Sequence, residues 1–135
     1  MTLKDHVRSH TVVLLKGLAV QVRLASTRTD EESVHDLRVA IRRLRECLRM
    51  FKEIYPPAPR KKIRKELRKL MKSAELVRSA DIALSLMKEA GVAETDAQVR
   101  DMRERRAAHR SALRGDLASF ASQPYTKAWR EALKV

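Results

Sequence analysis

The chain has 135 residues, of which 30 are Lys or Arg and 17 are Asp or Glu, giving a net charge of +13. That length suits a single domain with an aliphatic core, because 44% of the residues are hydrophobic but only Trp129, two tyrosines and two phenylalanines are aromatic. Three glycines, four prolines and a single cysteine exclude a turn-rich β fold and a disulfide scaffold, and no apolar run approaches the length of a membrane span.

Thr2 and Asp5 make a capping-box start for a first helix that should run to about residue 25, with Leu3, Val7, Leu14, Leu18 and Leu24 inward. Gly17 weakens it by about 1 kcal/mol relative to alanine, which suggests that another backbone approaches there. The apolar run 11–22 is broken by Lys16 and Gln21, so secretion is not expected, and the cytoplasm is the expected compartment.

A second helix should begin after Thr29, with Asp30, Glu31 and Glu32 in the first turn where the helix dipole favours acids, and stop at Tyr55 ahead of Pro56, Pro57 and Pro59. At 100° per residue, His35, Arg38, Arg42, Arg45 and Arg49 fall within roughly 80° of one another. They form a basic ridge, separate from the apolar arc of Leu37, Ala40, Ile41, Leu44, Cys47, Leu48 and Phe51. Cys47 is therefore expected to be a buried, reduced thiol. Between residues 37 and 52 there are six basic residues and one acid, Glu46. A helix that forgoes alternating charges is suited to an external anion.

The prolines are expected to form a stiff connector, followed by a long third helix over residues 60–90 closed by Gly91. Ile63, Leu67, Leu70, Met71, Ala74 and Val77 make its inner stripe, while Lys61, Arg64, Lys65, Arg68 and Lys72 read as a solvated far face that adds long-range field. A fourth helix should open at Glu94 or Thr95 and run to about residue 122, with a short segment after Pro124. Short links make successive helices antiparallel, so the expected architecture is all-α, an up-and-down four-helix bundle with a short C-terminal helical segment.

Two helices carry charge where the pattern asks for apolar residues. Arg78 and Asp81 fall on or near the inner stripe of the third helix, close enough to pair with each other. Arg106 and Arg110 interrupt the stripe of Val99, Met102, Leu113, Leu117 and Phe120. Either the packing face rotates there, or these residues fix or line an anion site, with Asp81 available to hold an arginine of the second helix.

The run VHDLRVAIRRLRECLRMF at 34–51 resembles the signature of the CHAD family, the histidine-bearing α-helical domain, and ELVRSADIAL at 75–84 resembles its downstream motif, with Ser79 where the family usually has an acid. The resemblance implies a helical bundle that binds inorganic polyphosphate, associated with polyphosphate granules or with triphosphate-tunnel (CYTH) enzyme domains. His35, Arg38, Arg42, Arg45 and Arg49 match the first motif, and Arg78 and Asp81 the second. With Arg106 and Arg110 from the helical pattern, they make up the expected polyphosphate set, in which Asp81 is a supporting residue. The family usually has two such four-helix halves, and this chain carries one. Its 135 residues are thus expected to form a single half-length bundle. A homodimer would rebuild the two-fold layout.

Three function classes follow. Polyphosphate binding accounts for the ridge and for the scarcity of aromatics. Nucleic-acid backbone binding accounts for the charge, but Tyr55, Tyr125 and Trp129 are scattered and no nucleic-acid motif is present, so it ranks second. An enzyme is not expected, since there is no glycine-rich phosphate loop, no acidic Mg²⁺ set and no nucleophile placed with its base. No cofactor or metal is expected either, because His6 and His10 have helical metal-pair spacing without further ligands. A histidine at the head of the ridge should strengthen anion binding below about pH 6.5.

Overall fold

A computed structural model describes residues 1–135, and it contains five α-helices and no strand. Helix α1 spans Leu3–Thr27, α2 Glu31–Met50, α3 Pro57–Glu89, α4 Ala97–Ala121 and α5 Tyr125–Leu133. Consecutive helices α1 to α4 pack side by side, α4 closes back on α1, and α5 lies against α3 and α1. The result is the expected antiparallel four-helix bundle with a short fifth helix.

Local chemistry sets the helix ends. Thr2 Oγ1 accepts from the Asp5 N–H at 3.2 Å while the Asp5 carboxylate accepts from the Thr2 N–H at 3.1 Å, a complete capping box. Asp30 caps α2 by accepting from the Ser33 N–H at 2.8 Å. Gly91, at φ 79°, closes α3. Its N–H donates to the Lys88 carbonyl and that of Val92 to Met87, both at 3.0 Å, satisfying two carbonyls that the helix end would otherwise orphan. Asp96 caps α4 through the Gln98 N–H, one to two residues beyond the expected start.

The core is aliphatic and continuous, with Leu15, Leu18, Leu37, Ile41, Leu44, Leu48, Leu67, Leu113 and Leu117 fully enclosed. Cys47 is buried and unpaired, as expected. In α1 the buried stripe is Val7, Thr11, Leu15, Leu18, Val22 and Ala25. Leu3 and Leu24, expected inward, lie exposed at 66% and 37%. That helix is apolar around most of its circumference, so its packing face is chosen by the neighbouring helices rather than by its own pattern. Nothing in the chain approaches Gly17, where an added Cβ would meet no atom within 4 Å.

The link between α2 and α3 departs most from expectation. The α-helix ends at Met50 instead of Tyr55, and a 3₁₀ turn over Lys52–Ile54 follows. This turn carries Tyr55 into the core, where its hydroxyl lies 2.8 Å from Thr11 Oγ1 and 3.3 Å from Cys47 Sγ. The prolines are not a connector either. Pro57 and Pro59 form the first turn of α3, where a missing N–H breaks no helical bond, and the Arg60 N–H closes that turn on the Pro56 carbonyl at 3.2 Å. No helix is long and apolar enough to cross a membrane.

Candidate functional site

The tight 3₁₀ link folds α3 back antiparallel along α2, so residues at similar distances from the link face each other. Arg38 and Glu75 mark the register: Arg38 Nε and Nη2 donate to Glu75 Oε1 at 3.1 and 2.8 Å. Counting toward the link from that contact at equal rise sets Arg45 across from Arg68 and Arg49 across from Arg64. The electrostatics agree with this register. Burial, and then the charges of Arg60, Arg45, Arg68 and Arg49, push the Arg64 guanidinium below its ordinary value.

Five arginines therefore crowd the link end of the α2/α3 seam. Arg60 is only 8% exposed, and the Nε atoms of Arg45, Arg60 and Arg64 are enclosed without a hydrogen-bond partner. The acid within reach is Glu46, whose Oε2 accepts from Arg49 Nη2 at 2.8 Å. That bond holds the Glu46 carboxyl below the usual range. Enclosed cationic donors without acceptors are costly, and an anion with several oxygens is the group that would satisfy them.

The first family motif lies along one wall of this seam and the prolines at the head of the other. The family model described as CHAD domain matches residues 14–135. The chain belongs to the CHAD family. Comparison with curated proteins and with solved structures gave no match.

In this CHAD domain the expected residues divide into two places. On α2 the ridge is not uniformly free of internal neutralisation. Arg38 is held by Glu75 and Arg49 by Glu46, whereas Arg42 is exposed without an ion pair and Arg45 faces α3. His35 lies at the ridge's other edge and lines a shallow depression between α1 and α2 with Val39 and Arg43. Arg78 is half-buried on α3 and does not pair with Asp81.

Asp81 also does not reach an arginine of α2. It accepts instead from Arg110 of α4 at 3.2 Å and lies 3.6 Å from Arg106. The interruption in the α4 stripe is thus an ionic contact between α3 and α4, with two guanidiniums on one buried carboxylate. Asp81 stands seventeen residues beyond Arg64 on α3, about 25 Å by helical rise, so Arg106 and Arg110 belong to the far end of the bundle.

Arg60, Arg64 and Arg68 were not among the expected ligands, because the wheel of α3 alone assigns Arg64 and Arg68 to a solvated face. The signal that finds them is hairpin register: a short link makes the residues just after it face those just before it. No group of three or more His, Cys, Asp and Glu side chains could hold a metal ion.

Proposed function

We propose that this CHAD domain binds inorganic polyphosphate along the α2/α3 seam without catalysing a reaction. The observation that carries this reading is the enclosure of three arginine Nε donors, on Arg45, Arg60 and Arg64, with no acceptor in the protein. Family membership supports the choice of anion.

The mechanism follows from helical rise and from guanidinium chemistry. Steps of three or four residues lift successive arginines by about 4.5 to 6 Å, so an extended polyanion meets several rungs at once. Each planar fork can grip two phosphate oxygens, and arginine stays charged even when partly buried. Counterion release on binding adds a salt-dependent driving force, by analogy with nucleic acids. Arg38 and Arg49 begin the process bonded to carboxylates and exchange them for phosphate. Arg42, exposed beside them, extends the seam outward.

Nucleic-acid backbone is the second ligand class for such a surface. A duplex presents its phosphates on a wide cylinder, whereas Arg60 sits 92% enclosed at the base of the seam, a depth that a narrow flexible chain reaches more easily. Titration of polyphosphates of defined length against the native protein, Arg42→Glu and Arg64→Glu tests the reading. Both variants should weaken binding, Arg64→Glu the more. Polyphosphate should displace duplex DNA at matched phosphate concentration, and displacement only in the reverse direction would transfer the function to nucleic acid. Orthophosphate release from long-chain polyphosphate that is lost on His35→Ala would make the domain an enzyme instead.

A further inference from the structure

At the end of the bundle away from the 3₁₀ link, α3 and α4 border a second cavity of about 360 Å³. Arg103, Arg106, Arg110 and Lys88 line it, with Asp81, Glu94 and Glu31 as the acids. Arg103 is engaged by Glu94. Asp81, with its side chain 6% exposed, accepts a hydrogen bond from Arg110 on Oδ1 and holds Arg106 in an ion pair 3.6 Å from the same oxygen. Each guanidinium has five N–H donors, so one shared oxygen leaves most of them unfilled. The Nε of Arg110 is enclosed and has no partner.

An interhelical clamp needs one arginine for one carboxylate. Here a second arginine is drawn onto the same acid, which leaves a net positive charge and one enclosed donor, the Arg110 Nε, at the wall of an open cavity. Asp81 has two effects on such a site. It screens the repulsion between Arg106 and Arg110, and it fixes their guanidiniums in place before any ligand arrives.

We propose that this cavity is a separate anion site for a compact phosphate such as orthophosphate, with Arg106 and Arg110 as ligands and Asp81 as the positioning residue. A long chain is disfavoured there because Glu31 and Glu94 stand on the lining, where a continuing polyanion would have to pass them. The site is separate from the arginine cluster of the α2/α3 seam, with Asp81 about 25 Å from Arg64 along α3.

The test is an NMR titration of the arginine Nε–Hε signals with sodium phosphate at constant ionic strength. Saturable shifts of the Arg106 and Arg110 signals are expected, with binding unchanged in Arg64→Glu. In Arg110→Gln the affinity should fall about tenfold or more, the effect of losing a charge-assisted hydrogen bond. Because that variant strips a partner from buried Asp81, Asp81→Asn combined with Arg110→Gln supplies a comparison with no under-paired buried carboxylate, and it too should lose the site. Linear, unsaturable shifts of the wild-type signals would overturn the proposal. So would saturation that survives both Arg110 variants or disappears in Arg64→Glu, since the phosphate would then be on the seam.

Discussion

Arg64 is held in place by the fold against its own electrostatics. Burial and four neighbouring arginines both disfavour its charge, and Glu46 is already committed to Arg49. Arg64→Glu should therefore weaken polyphosphate binding by about tenfold or more, since one charge-assisted contact is lost and a repulsive one introduced. The same change should leave the melting temperature equal or higher, because it relieves like-charge crowding. Calorimetric titration and thermal melts on one sample check both halves. A large loss of stability would mean that Arg64 supports packing instead. Glu75→Gln makes the converse case. It frees Arg38, now bonded through two donors to Glu75 Oε1, and should tighten polyphosphate binding. Unchanged affinity would show that Arg38 contributes nothing to the seam.

At the scale of elements, the turn between α2 and α3 decides where the arginines meet. Tyr55 anchors it by bridging Thr11 of α1 and Cys47 of α2, so Tyr55→Phe should cost about 1 kcal/mol by denaturant unfolding, the usual net value of one hydrogen bond. Burial and the neighbouring thiol raise the Tyr55 phenol above its ordinary value, and burial raises that of Tyr125. A phenol that holds its proton more tightly when folded contributes stability that is complete below the ordinary value of about 10 and is lost as pH rises beyond it. The tyrosinate absorbance of the native protein should thus stay low through pH 10 and rise together with the loss of helical circular dichroism. An earlier, independent rise would place the two rings in contact with solvent.

The helices themselves were legible because α2 and α3 have clear apolar stripes, and the caps at Thr2, Asp30 and Gly91 follow simple chemistry. Two features were not. Periodicity within one helix says nothing about which charged face a neighbour covers, so Arg64 and Arg68 looked solvated until the register with α2 was known. Nor could a helical wheel choose a partner for Asp81, since Arg78 on the same helix and Arg106 and Arg110 on the next compete for it, and only the bundle's closure brings the latter two within reach.

For the whole molecule, charge distribution couples binding to folding. Residues 35–72 carry fourteen Lys or Arg against four Asp or Glu, and the two helices that bear them are packed along their length. Folding must gather this charge while the unfolded chain spreads it out, so the native state carries repulsion that a polyanion removes. A ligand that binds only the folded form at a hundred times its Kd adds about 2.7 kcal/mol of stability. In a domain of this size, polyphosphate near that ratio should raise the melting temperature by roughly 5 to 15 °C. Screening reverses the effect in a defined order. At about 1 M salt the Debye length shrinks to about 3 Å. Polyphosphate should then give little or no stabilisation, while the ligand-free protein should melt higher than in dilute buffer because its own repulsion is screened. Melting curves with and without polyphosphate at low and high salt distinguish this from specific packing of the ligand, for which the temperature gain would survive at high salt. If the ligand-free protein loses stability as salt rises, the crowding of the seam is not a net cost to the fold, and the electrostatic basis for its anion binding fails with it.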